Sequence, residues 1–177
     1  VDKILSLQDG EKGVKLSDEC KLLRATYFRE TNQNNFDKSY NWKKNSRYGV
    51  SGNNNLYKNA IRQIYSVDQV TKMWQNNNID YDYYIYLRPD LLYINELDID
   101  IILKNKKNIL LTPYWHKWGG LNDRIYMGEK NIIQHFGNRI KYADEYVTNK
   151  KENYHPEKFM KYISLKFNIQ TKDINLK

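Results

Sequence analysis

Cysteine is nearly absent from this chain: Cys20 stands alone among 177 residues. A lone thiol excludes an internal disulfide framework and a cysteine-based zinc cage, and is compatible with a reducing compartment. Proline and glycine, at 3 and 8 residues, are too scarce for a collagen-like or linker-like chain. No apolar run approaches the roughly 18–20 residues a membrane span needs, which predicts a soluble chain without such a span. The opening VDKILSLQDGEKG has charges breaking every apolar stretch, so it carries no signal-peptide pattern. Also missing are a nucleophile elbow, a phosphate-cradling P-loop and a G-x-G-x-x-G turn. His116, His135 and His155 show no metal-ligand spacing.

What is present fits one α/β domain. Hydrophobic residues make up 40% of the chain, enough for a core, and aromatics reach 14% with 16 tyrosines. The formal net charge is +8, but lysine far outnumbers arginine and is scattered along the chain. No basic helix face and no aromatic-glycine signature accompanies it, so no specific nucleic-acid partner is expected. The abundance of Asn, Lys, Ile and Tyr reads as a bias of the coding genome. A basic chain still suits a polyanionic or diphosphate ligand.

Periodicity predicts a helix within 14–30, where Asp18 and Glu19 suit a first turn, and then a long polar loop over 31–55. The strongest helix follows from 56 to about 76. Leu56, Ala60, Ile61, Ile64, Val67, Val70, Met73 and Trp74 recur there at three- and four-residue spacing, behind cap candidates Asn53–Asn55. Asp82–Arg88 reads as a strand buried on both faces and stopped by Pro89. Further strands are expected at Asn108–Thr112 and Arg124–Gly128, and helices at 129–147 and 156–167, the last with Pro156 at its first position. The expected fold is a single domain over 1–177, with one mixed, mostly parallel sheet flanked by helices.

Three acidic pairs compete for a cation or diphosphate: Asp80 with Asp82, Arg88 with Asp90, and Asp98 with Asp100. Ligands of open α/β sheets bind outside the carboxyl ends of the strands. Asp80 and Asp82 precede their strand, and Asp98 and Asp100 serve equally well as helix-start carboxylates. Arg88 and Asp90 leave the strand at the right end. There Arg88 complements a phosphate while Asp90 meets a metal or a sugar hydroxyl, or the two form a loop salt bridge. The loop Trp115–Arg124 holds Trp115, Trp118, Gly119, Gly120, Asn122, Asp123 and Arg124. An aromatic platform beside amide, carboxylate and guanidinium groups suits a carbohydrate, with Asp123 as general base or acceptor contact. The bland alternative is a glycine turn with two core tryptophans. In Tyr154–Glu157, His155 reads as a surface residue and Glu157 as a helix-start carboxylate.

Four stretches follow one another in an order with its own meaning: Arg62-Gln-Ile-Tyr-Ser66, Tyr81–Leu91 ending in R-P-D-L, Trp118-Gly-Gly-Leu-Asn-Asp-Arg124, and His155-Pro-Glu-Lys-Phe159. This series resembles a glycosyltransferase-like family of large DNA viruses, bacteria and plants, whose members look like compact A-type glycosyltransferase domains. The resemblance implies that Arg88 and Asp90 take the place of the usual acidic metal motif, with Asp90 as the Mn²⁺ or Mg²⁺ ligand. It implies that Arg62, Gln63 and Tyr65 face the donor. Asn122, Asp123 and Arg124 would line the sugar or acceptor side, and Glu157 would reach the same cleft. It also implies that the chain starts beyond the family's first strand, so that either part of the donor site is lacking or those residues were removed from the chain. The activity expected is transfer of a sugar from a nucleotide-diphosphate sugar to a glycan or other hydroxyl acceptor, in a host cytoplasm or virion. A catalytically inactive domain of the same fold is the alternative, and a basic nucleic-acid-binding domain a weaker one.

Overall fold

The computed structural model describes residues 4–9, 24–42, 54–76, 80–88, 91–92, 94–98, 100, 102, 104, 107–150 and 154–176. The chain divides into two compact units, residues 1–79 with 137–154, and residues 80–136 with 155–177. Among the described residues no helix is long and apolar enough to cross a membrane.

In the first unit, strands β1 (Ile4–Asp9) and β2 (Tyr27–Asn32) pair in parallel. Neither was expected. Of the helix expected within 14–30, residues 14–23 lie outside the described residues, and residues 27–30 belong to β2. The sequence TYFRE there favours an extended backbone through its β-branched and aromatic residues. The expected polar loop 31–55 contains helix α1 (Gln33–Ser39), started by the Asn32 side chain, which accepts a hydrogen bond from the Asn35 amide at 3.2 Å. Residues 43–53 lie outside the described residues. Helix α2 (Asn54–Gln75) follows and packs on β1 and β2.

The buried stripe of α2 runs through Tyr57, Ile61, Ile64, Asp68 and Thr71, with Trp74 at its end, while Leu56 is half exposed. The buried face is thus rotated from the expected apolar one and includes three polar groups, Asp68, Gln69 and Thr71. All three find partners within the helix: Lys72 lies 2.7 Å from the Asp68 carboxylate, Gln69 Nε2 donates to Asp68 Oδ2 at 3.2 Å, and Thr71 Oγ1 donates to the Val67 carbonyl. The tyrosine-rich composition finds its use here. Phe36 stacks on Tyr65 at 4.0 Å and meets Trp42 edge-on. Trp42 meets Tyr57, and Tyr57 meets Tyr154, likewise edge-on.

The second unit holds an open four-stranded sheet in the order β3 (Tyr84–Leu87), β5 (Ile125–Gly128), β4 (Ile109–Pro113) and β6 (Gln170–Ile174). The chain is therefore mixed α/β, with two sheets rather than one among the described residues. β3, β4 and β6 point the same way, and β5 runs against β3 and β4. The reversal follows from a short return over residues 114–124, which has no helix to carry a crossover. β3, expected to be buried on both faces, is an edge strand. Tyr84 and Tyr86 point inward while Ile85 and Leu87 are exposed.

Across the sheet, Tyr86 stacks on its partner Tyr126 with rings 5.2 Å apart. The other face gathers Leu111, Ile125, Met127, Ile174 and Leu176 into a core cluster. The helix expected over 129–147 is broken at Gly137-Asn138 into α3 (Lys130–Gly137), a 3-10 turn (Arg139–Tyr142) and α4 (Ala143–Lys150). Helix α5 (Pro156–Lys166) stops in a Schellman turn. Asn168 adopts φ +51°, its amide bonds to the Leu165 carbonyl, and the Ile169 amide bonds to the Ser164 carbonyl at 2.8 Å. That turn delivers the chain into β6, whose polar sequence hides a strand from periodicity.

Tyr40 donates a hydrogen bond to Asp144 at 3.3 Å. Burial first, then Tyr57 and Asp144, pushes its hydroxyl well above its ordinary pKa of 10.0, so the folded protein holds this proton where the unfolded chain releases it. Its contribution to stability is complete below pH 10 and is lost as the pH rises further. Tm measured from pH 8 to 11 is expected to fall more steeply in the wild type than in Tyr40→Phe. Parallel curves would show that this hydroxyl does not drive the alkaline loss.

Candidate functional site

In the second unit the carboxyl ends of β3, β4 and β6 and the amino end of β5 lie along one edge of the sheet. This is where open α/β sheets take ligands. The loop 114–124 and the start of α5 are built onto that edge. Gly120 makes the junction. A Cβ added there would come within 1.9 Å of the Glu157 carbonyl oxygen, so only glycine lets the loop lie against the first turn of α5. The next amide, Leu121, donates to that same carbonyl at 3.0 Å.

The junction brings two carboxylates to one guanidinium. Arg124 Nη1 lies 3.1 Å from Glu157 Oε1 and 3.3 Å from Asp123 Oδ1. Glu157 is 5% and Asp123 6% exposed, and charges buried this deeply require a partner. Glu157 also sits in the first turn of its helix, where the dipole favours an anion. His155 Nδ1 lies 3.0 Å from the other Glu157 oxygen, and this buried nitrogen makes no hydrogen bond. Its closeness to Glu157 was missed by the surface reading of His155. The two-residue spacing in His155-Pro-Glu157 was the available signal.

Asn122 holds the loop rather than presenting a free amide. Its side chain is fully buried, donates to the Trp115 carbonyl at 2.9 Å, and accepts from the Arg124 and Ile125 amides at 2.8 and 3.2 Å. Trp115 is likewise anchored. Its indole Nε1 donates to the Leu176 carbonyl, and its ring packs on the core cluster. Trp118, by contrast, is 63% exposed. His116, Trp118 and Gly119 all have left-handed backbones, at φ +47°, +45° and +80°. For residues with a bulky Cβ substituent such a conformation costs about 1–3 kcal/mol.

Arg88 directly follows β3, and its amide bonds to the Arg124 carbonyl at 3.0 Å, so the strand exit and the loop meet in backbone. Its neighbours Pro89 and Asp90 lie outside the described residues. Arg62, Gln63 and Tyr65 belong to the first unit, on α2. Arg62 binds both carboxylate oxygens of Asp37 and also Asn59, and Tyr65 is the ring that stacks on Phe36. The competing acidic pairs are engaged elsewhere: Asp80 with Lys130, and Asp100 with Lys104 at 3.7 Å.

Among the described residues no group of three His, Cys, Asp or Glu side chains converges as a metal cage. The Asp123–Glu157 pair does not fit a divalent ion, because a guanidinium already bridges it. The arrangement instead offers buried acceptors for a hydroxyl or its proton, next to two arginines in adjoining backbone. No protein-family profile, no curated protein and no solved structure matches this chain.

Gly120→Ala is expected to lower stability by on the order of 3 kcal/mol, since backbone rather than a flexible side chain must move. Gly119→Ala has open space up to Lys158 Cε at 3.9 Å and costs only its left-handed φ, about 1 kcal/mol. Denaturant unfolding of both variants checks the order. Equal losses would remove the close approach at Gly120 as the cause.

Proposed function

We propose that this chain is a glycosyltransferase-like domain of the A-type fold, moving a sugar from a nucleotide-diphosphate sugar to an acceptor hydroxyl. The observation that carries this reading is the Asp123–Arg124–Glu157 cluster at the carboxyl ends of the strands. In the reaction a bond forms between the acceptor oxygen and the anomeric carbon. The bond from that carbon to the diphosphate breaks, and the diphosphate leaves with the electron pair. The acceptor proton passes to a carboxylate, and Asp123 and Glu157 are the buried candidates. Arg124 orients both carboxylates, while Arg88 complements the charge on the leaving diphosphate. Mn²⁺ or Mg²⁺ enters this reading through Asp90 and would supply further neutralisation of the leaving group. The resemblance of the R-P-D-L and G-G-x-N-D-R stretches to the glycosyltransferase-like family supports the same assignment.

A second reading, a domain that keeps this framework without catalysis, is favoured by one observation. Arg124 bridges both carboxylates and Asn122 spends its amide on backbone, a pattern that also serves purely as an anchor.

Calorimetric titration with a panel of nucleotide-diphosphate sugars, with and without Mn²⁺, separates the two. One donor is expected to bind with the metal and to lose that dependence in Asp90→Ala. Asp123→Asn is expected to lower turnover by roughly 10²–10⁴-fold while donor affinity stays within about twofold. Full turnover in that variant would remove Asp123 from the chemistry. A cooperatively folded protein that binds no donor would favour the anchor reading.

A further inference from the structure

The loop 114–124 is pinned at Trp115 and Lys117, and it leaves Tyr114, His116 and Trp118 exposed. Trp115 is held by the Leu176 carbonyl and the core cluster. Lys117 grips both oxygens of Asp173, at 2.7 and 2.9 Å, and its carbonyl accepts from the Gly120 amide. Between and beyond these anchors stand His116 and Trp118, both exposed, with ring centroids 6.1 Å apart and planes tilted by 49°.

Trp118 is a poor choice for the fold alone. Its ring is mostly outside the core, and its backbone occupies a region that glycine or asparagine enters at far lower cost. A bulky residue kept in a strained conformation at the surface, on a loop locked from both sides, points to something the ring contacts. On the loop the exposed apolar rings are Trp118 and, to a lesser degree, Tyr114, together well below the roughly 1,200 Å² that a stable protein interface buries. An exposed indole on the loop that also carries Asp123 and Arg124 matches the C–H face of a single pyranose.

We infer that Trp118, with His116 tilted beside it, is a preformed saccharide platform and determines which acceptor the site takes. This rests on the transferase reading above, because the platform lies on the same loop as Asp123 and Arg124. The anchored Trp115 is excluded from that role.

The test uses the full chain and three proteins: wild type, Trp118→Ala and Trp118→Gly. Each is titrated by saturation-transfer NMR with methyl glycosides of glucose, galactose, mannose, rhamnose and N-acetylglucosamine, and separately by calorimetry with nucleotide-diphosphate sugars. At least one glycoside is expected to bind the wild type and to lose at least roughly tenfold in affinity in both variants. Nucleotide-sugar affinity should be unchanged. Trp118→Gly, which also relieves the backbone, is expected to raise Tm by about 2–4 °C, whereas Trp118→Ala is not.

Glycoside affinity that survives loss of the ring would overturn the platform, as would failure of every glycoside to bind the wild type. Loss of nucleotide-sugar affinity instead would assign the ring to a nucleobase and overturn the acceptor role. Trp118-dependent glycoside binding with no nucleotide-sugar binding would uphold the platform while removing the transferase reading.

Discussion

A single missing side chain organises the second unit. Because residue 120 has no Cβ, the loop between β4 and β5 lies directly on the first turn of α5, and the Leu121 amide closes onto the Glu157 carbonyl. Arg124, four residues along the loop from Gly120, therefore meets Glu157 from a helix that begins more than thirty residues later in sequence. Without that approach the arginine would have only its neighbour Asp123, and Glu157 would be a buried carboxylate next to an imidazole alone. Backbone packing comes first, and the charge cluster follows from it.

The cluster's chemistry depends on how its surroundings divide the labour. Asn122 and Trp115 face inward and are spent on backbone carbonyls and amides, so they fix geometry and have little left to offer a ligand. Asp123 and Glu157 are nearly inaccessible and share one guanidinium. Trp118 and His116 have the opposite character, accessible and strained. A short loop thus alternates between anchoring and presenting residues, as a binding loop on a rigid scaffold does.

Much of the second unit was legible in the sequence, because its central strands are short apolar runs bounded by proline, glycine and asparagine. Ile109–Pro113, Ile125–Gly128 and α5 lie within two residues of the expected bounds. The misses share a cause. β6 reads QTKDI and buries only Ile174, so an edge strand left no alternation to detect. β2 was hidden by a helix-like pattern that its parallel pairing with β1 overrides. Asp80 with Asp82 and Arg88 with Asp90 were separated by which end of the strand they occupy, and Lys130 meets Asp80 while Lys104 meets Asp100. The meeting of Arg124 with Glu157 depends on three-dimensional return of the chain, which no local spacing encodes.

Each unit is assembled from two separated stretches, since the chain leaves the second unit after Phe136 and re-enters it at His155. During synthesis, Asp123 and Arg124 therefore emerge well before the glutamate that completes their cluster. At about 5–20 residues per second the arginine waits a few seconds for α5. The first unit closes earlier, once Tyr154 arrives to meet Tyr57 and Tyr146. The nascent chain thus finishes its aromatic half before its charged half, and β6, made after α5, supplies both Asp173 for Lys117 and an edge for β4. Within the second unit the loop 114–124 therefore becomes fixed only after α5 and β6 have been made.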